Sequence, residues 1–269
     1  MSFKDWIGDI FGFNNELDSL TNQNTALKYQ IKDLETKYSK CNEDSSFLGT
    51  KYKELEEKYI KLTTPDPQET LWNNKYPKQD ITYRRKEYDG WYNIDVRNYF
   101  QPYDSSIPIV SGTTNDEKAL NALNWVKKNI TYTSDTTEYG EDEFWAYAYQ
   151  TLKRKKGDCE DGAILLSNIM LKSGIPYWRI RLNAGDVKGG GHAYVTYCRE
   201  TDNEFVVLDW CYWYKDTLIK DRKLHKDEQD YYGIWFSWNL MYSFGKMETM
   251  AEMPKDFNLK KGKSRKSRQ

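Results

Sequence analysis

Cys159 lies in the run KKGDCEDGAILLSNIMLKSGIP, where Gly157 permits a tight turn, Asp158 can cap a helix and Asp161 completes a spacing like that of a capping box. Gly174 and Pro176 then stop the helix. The pattern places the thiol at a helix N-terminus, where unpaired backbone N–H groups and the positive end of the dipole favour thiolate. The expectation is a cysteine with a lowered pKa, suited to nucleophilic attack. Such a thiol needs a base and an orienting group. His192 follows 33 residues later in GGGHAYVTY, and Asp209 closes the apolar run FVVLDW. Gly189, Gly190 and Gly191 let backbone come close before the strand starts. An imidazole at the strand's mouth can reach the sulfur while the carboxylate holds its Nδ1 and fixes the tautomer. Taken singly, a histidine at a strand end is usually structural and an aspartate after a strand is usually a turn residue. A two-residue turn at Asp202–Asn203 would set Thr196 opposite Asp209, leaving His192 four residues, roughly 13 Å, along the neighbouring strand. A turn nearer Glu200, a bulge or strong coiling would close that gap.

The motifs GDCED, GHAYV and VVLDW, preceded by DEKALNALNWVKKNITYTSD and FWAYAYQTLKRKKG, together resemble the transglutaminase-like superfamily over about Asp116 to Trp210, in the family's order. The resemblance implies a papain-like α+β scaffold in which a helix carrying the thiol packs on an antiparallel sheet. It also implies Cys159 as nucleophile, His192 as general base and acid, and Asp209 as orienting carboxylate. The chemistry implied is attack on an amide carbonyl, a thioester, and release to water or an amine. The family holds amide hydrolases, cross-linking acyltransferases, de-glycosylating amidases and inactive members, so the scaffold does not select a reaction. An oxyanion needs donors: the Cys159 backbone N–H is one, and the Trp145 indole and the Gln150 amide are candidates for a second, against readings of Trp145 as core and Gln150 as surface.

The elements that must position these groups read as helix-like stretches at Asp116–Asn129, Asp142–Lys153 and Cys159–Lys172, then β-like runs at Tyr177–Leu182, Ala193–Cys198 and Phe205–Asp209. Helices followed by strands argue for α+β. Upstream, Leu17 to Leu62 carries an unbroken heptad, with Leu20, Leu27, Leu34, Cys41, Leu48, Leu55 and Leu62 at d, and Leu17, Asn24, Ile31, Tyr38, Ser45, Tyr52 and Tyr59 at a. A lone helix cannot bury that seam, so a homo-oligomer through residues 17–62 is expected. Asn24, with Lys51 facing Glu56 of a neighbour, favours a parallel coiled coil of two or three strands. The organisation is an apolar leader helix at 1–16, a coiled coil at 17–64, an aromatic-rich wrapping segment at 65–112, the transglutaminase-like domain at 113–259 and a basic disordered tail at 260–269. The leader's Phe3, Trp6, Ile7, Ile10 and Phe11 form one stripe that a protein partner or the rest of the chain would cover, or a membrane surface would take.

The 40 basic and 41 acidic side chains argue against bulk nucleic-acid binding. The six basic residues in the last ten would make at most a weak anionic contact. No apolar run spans a bilayer and no secretory signal is recognisable, so a cytoplasmic or virion-associated setting, a bacteriophage's included, is expected. Four scattered cysteines argue against a disulfide framework, and Cys198 and Cys211 read as strand residues without a role. No C-x₂-C or H-x₃-H spacing occurs, so neither a metal nor any other cofactor is expected. His225, in a polar run, reads as solvated. Trp235, Phe236 and Trp238 read as packing, with a groove floor as the alternative. Two functions fit: a cysteine-peptidase-like amide hydrolase or acyltransferase acting on a protein or peptide, and a non-catalytic structural or adaptor protein, such as a virion component.

Overall fold

The computed structural model describes residues 13–40, 53–55, 57, 66–87, 90–212 and 217–245. The leader stripe, most of the heptad beyond residue 40 and the basic tail lie outside the described residues. The chain divides into two compact units, Met1–Thr70 and Leu71–Gln269. In the first, helix α1 spans Phe13–Lys40. Leu17 and Leu20 are exposed on it, while Asn24, Leu27, Ile31 and Leu34, the next a and d positions, are half-buried.

The aromatic stretch resolves into α2 (Pro67–Asn74), the antiparallel hairpin β1 (Thr82–Glu87) and β2 (Gly90–Asp95), and a 3₁₀ turn at Val96–Tyr99. No clean alternation marks the hairpin because, of its two strands, only Arg85 is fully buried. The Arg85 guanidinium lies 3.8 Å from the Tyr147 ring and donates to the Trp145 carbonyl and to Gln150 Oε1. Trp72 on α2 meets Phe205 edge-on at 4.7 Å and donates its indole N–H to the Asn203 carbonyl. From Leu71 on, the stretch belongs to the same unit as the residues that follow it.

Helix α3 (Asn115–Asn129) starts where the Thr114 side chain accepts from the Glu117 N–H, and it buries Ala119, Ala122, Leu123 and Val126 along one stripe. Next come β3 (Thr131–Tyr132), parallel to β4 (Lys156–Gly157), the short α4 (Asp135–Glu138) and α5 (Ala148–Arg154). The helix expected from Asp142 begins only at Ala148. The N–H groups of Phe144 and Ala146 donate to the carboxylates of Asp135 and Asp161, and the Gln150 side chain, accepting from the Tyr147 N–H, starts the helix there. Helix α6 (Cys159–Lys172) is buried from Glu160 to Met170 and packs against α3, α5 and the sheet.

That sheet has five antiparallel strands in the order β7–β6–β5–β8–β9: β5 Ile180–Val187, β6 Gly190–Cys198, β7 Phe205–Leu208, β8 Tyr231–Trp238 and β9 Ser243–Phe244. The architecture is the expected α+β class with a transglutaminase-like core, a thiol-bearing helix on an antiparallel sheet. Residues Tyr177–Arg179 form a 3₁₀ turn after Pro176, which delays β5 to Ile180. The β6–β7 hairpin pairs Thr196 with Val207, two residues away from the register a turn at Asp202–Asn203 would set. Its loop is longer: Asn203, at φ 55°, donates its N–H to the Arg199 carbonyl, and the Arg199 N–H donates to Glu204. Strand β8, whose Trp235, Phe236 and Trp238 read from sequence as packing or a groove floor and not as a strand, lies beside β5 with bulges near Gly185. A Cβ on Gly191 would stand 2.6 Å from the Trp235 ring, so the indole rests on bare backbone one residue before His192. No described helix is long and apolar enough to cross a membrane.

Candidate functional site

Cys159 is the first residue of α6, as the motif predicts, but Asp158 makes no side-chain capping bond. Asp161 does not close a capping box either; it accepts from the Ala146 N–H and the Tyr139 hydroxyl, fastening the 139–146 segment to the helix start. The Trp210 indole donates to the Cys159 carbonyl at 3.1 Å and lies so close to α6 that a Cβ on Gly162 would fall 2.1 Å from it.

The two-residue change of register carries Asp209 toward His192, and their side chains meet. His192 Nε2 and Asp209 Oδ2 are 2.6 Å apart, both side chains almost wholly buried. The nitrogen engaged is Nε2, which corrects the expected Nδ1 contact. Asp209 Oδ1 accepts from the N–H groups of Cys211 and Tyr212, each at 3.1 Å, and Oδ2 also accepts from the Tyr231 hydroxyl at 2.8 Å. Burial pushes the Asp209 carboxyl up, but His192, the backbone N–H of Cys211 and the Tyr231 hydroxyl outweigh it and hold the group below its usual value.

The thiol hydrogen-bonds Glu160 Oε2 at 3.1 Å and lies against the Ala193 N–H, beside His192 on β6. Burial pushes the Cys159 thiol well above its usual value, and Asp158 and Cys211 add to that, while the Ala193 and Glu160 bonds oppose it. This direction is opposite to the lowering expected from the helix terminus, and desolvation is its leading cause.

Those carboxylates form a cluster. Burial raises Asp158 to about 6 and Asp135 to about 8, and it pushes Glu160 and Asp161 well above their usual values. Ligand oxygens of Asp135, Asp158 and Asp161, and of Asp135, Glu143 and Glu160, approach within 4.8 Å of one another. Asp135 Oδ1, Asp158 Oδ1 and Glu160 Oε1 are buried without a hydrogen-bond partner. An all-oxygen set with open lone pairs suits a hard divalent cation rather than zinc, and a bound cation would hold these groups ionised and favour thiolate beside them. The spacing rules that argued against a metal could not find this set, because its members come from separate segments.

Of the two candidates for a second oxyanion donor, the Trp145 indole N–H is already engaged, while for Gln150 the structure shows bonds to its oxygen alone. The Trp145 indole N–H donates to Glu143 Oε1 at 2.6 Å in a stack with Tyr83 and Trp238, and the Gln150 oxygen accepts from the Tyr147 N–H and from Arg85. His225 is buried rather than solvated; Tyr194 holds its Nε2 at 3.0 Å, and burial lowers it to about 4. Cys211 stands after β7, its sulfur 3.7 Å from Asp209 Oδ1. Sequence reasoning missed Tyr231, Glu160 and Asp135; of these only Glu160 carried a signal, its place beside Cys159.

A match to the Transglutaminase-like superfamily covers residues 106–210, so the chain carries a transglutaminase-like domain there. Among solved structures it is similar to Legionella pneumophila LapG (16% identity, 55% of this chain, 77% of that one, TM-score 0.41) and to calcium-bound LapG from the same organism (17%, 47% and 66%, TM-score 0.38). EGTA-treated LapG aligns over 64% of its length at TM-score 0.38 and 17% identity, with 47% of this chain covered. The chain thus spans just under two thirds of the calcium-bound LapG chain. No curated protein matches it.

Proposed function

We propose that the protein is a thiol-dependent amide hydrolase or acyltransferase acting on a protein or peptide, with Cys159 as nucleophile, His192 as base and acid, and Asp209 as orienting carboxylate. The observation that carries this reading is the buried 2.6 Å contact between His192 Nε2 and Asp209 Oδ2, beside the helix start that bears the thiol. With Nε2 engaged, Nδ1 takes the thiol proton as sulfur attacks the carbonyl carbon. With the thiol pushed up by burial, the step fits general-base activation rather than a stored ion pair. The oxyanion meets the Cys159 N–H, which has no intrahelical acceptor at the first helical position. Collapse expels the amine with the proton from His192, and the thioester passes its acyl group to water or to an amine. Acylation by p-nitrophenyl acetate tests this: a hydroxylamine-labile acetyl group on Cys159 is expected in the wild type and not in His192→Ala, and equal labelling of both would overturn it.

The raised thiol pKa favours one rival, a structural or adaptor protein that binds without turnover, and absent acylation would select it. With either reading we propose a parallel homo-oligomer of two or three strands through residues 17–62, a protein partner for the leader, a weak anionic contact by the tail, and a cytoplasmic or virion-associated setting.

A further inference from the structure

Resting on that function, we infer that Tyr231 is a positioning residue of the His192–Asp209 pair, acting through the carboxylate. An ionised carboxylate offers about four acceptor sites, and the neighbours of Asp209 divide them. The two N–H groups of Cys211 and Tyr212 fix Oδ1, so the group cannot turn about its own bond without losing both. Oδ2 is left to His192 and Tyr231 together, at 2.6 and 2.8 Å.

Tyr231 reaches that oxygen from an independent direction. It opens β8, which β5 separates from the strand carrying His192. Its ring is buried, packs with Val187, Val207 and Tyr194, and meets Tyr194 edge-on at 4.7 Å. The phenol is pushed well above its usual value by burial and by Asp209, so it remains a neutral donor. The Tyr212 ring lies 5.3 Å from the imidazole, and the remaining ionisable groups around the pair are Asp158 and Cys159 at the start of α6, Cys211 after β7, and Tyr194 on β6. None of these remaining groups donates a hydrogen bond to Oδ2 among the described residues.

A neutral donor on Oδ2 draws charge from the oxygen that faces the imidazole. Removing it leaves more negative charge there, which stabilises imidazolium and raises the His192 titration midpoint. A purely structural tyrosine would loosen packing without moving that midpoint in a set direction.

The chain has two histidines, so imidazole NMR on the full-length protein resolves both. Tyr231→Phe is expected to raise the His192 midpoint by about half a unit or more. Tyr194→Phe removes an equally buried hydroxyl that bonds His225, and should leave His192 where it was. Site-specific 3-fluorotyrosine at position 231, a stronger donor that preserves the fold, should lower the midpoint. A His192 midpoint that stays fixed in the 231 variants, moves the opposite way, or shifts equally in Tyr194→Phe would overturn the inference. Since the readout is the imidazole, a failure of Cys159 acylation counts against the function and leaves this result to be judged separately.

Discussion

Asp209 is the residue on which the site closes, because it ties the end of one strand to the imidazole on the next and to the phenol two strands further. Asp209→Asn keeps the shape but turns an acceptor into a donor at one of its two atoms. Acylation of Cys159 by p-nitrophenyl acetate should then fall about a hundredfold or more, as for loss of a base's orienting group; an undiminished rate would remove Asp209 from the mechanism. At this scale the sequence was legible where chemistry and local geometry coincide. Cys159 begins a helix because a glycine, an aspartate and a following apolar run mark one, and His192 and Asp209 stand at strand ends for similar reasons. The thiol's charge state was not legible. It depends first on burial of the thiol itself and then on Asp158 and on Cys211, which only the fold brings to the helix start.

At the scale of elements, the β6–β7 loop decides whether the site exists. The Asp202–Asn203 pair looks like a two-residue turn, yet Arg199 pairs with Asp202 and caps a longer loop, shifting β7 by two residues. Local turn propensity carried too little information, because the winning geometry depends on tertiary contacts such as Trp72 donating to the Asn203 carbonyl. Strand β8 was missed for a related reason: its aromatic run is interrupted by Gly233 and bulged, so alternation is broken. The packing of α6 gives a prediction whose sign is set by competition. Gly→Ala inside a helix ordinarily stabilises by roughly 0.5–1 kcal/mol, but at Gly162 the new carbon meets the Trp210 ring. Gly162→Ala should destabilise by about 1–2 kcal/mol net and lower Tm; a raised Tm would show that Trp210 is free to move.

At the scale of the whole molecule, two predictions concern pH and assembly. Asp135 and Asp158 have raised folded-state values, so the folded chain binds more protons than the unfolded one between about pH 4 and their folded values of about 8 and 6. Stability contributed by these groups is therefore present near pH 4–5 and lost as pH rises toward 8. Tm should be higher at pH 5 than at pH 8 by about 5 °C, with a smaller difference in Asp135→Asn; a flat profile would mean the cluster is solvated or compensated. For assembly, light scattering on the full chain should give a dimer or trimer mass, and Leu27→Glu with Leu34→Glu should reduce it to monomer. A monomer from the unaltered chain would remove the oligomer. The central claim is that Cys159 and His192 act as one unit, and the most direct measurement is the site-resolved rate of Cys159 alkylation by iodoacetamide at neutral pH in wild type and His192→Ala. The account predicts a rate at least about tenfold higher in the wild type, with the two converging at alkaline pH as the thiol ionises unaided. Equal rates at neutral pH would contradict it.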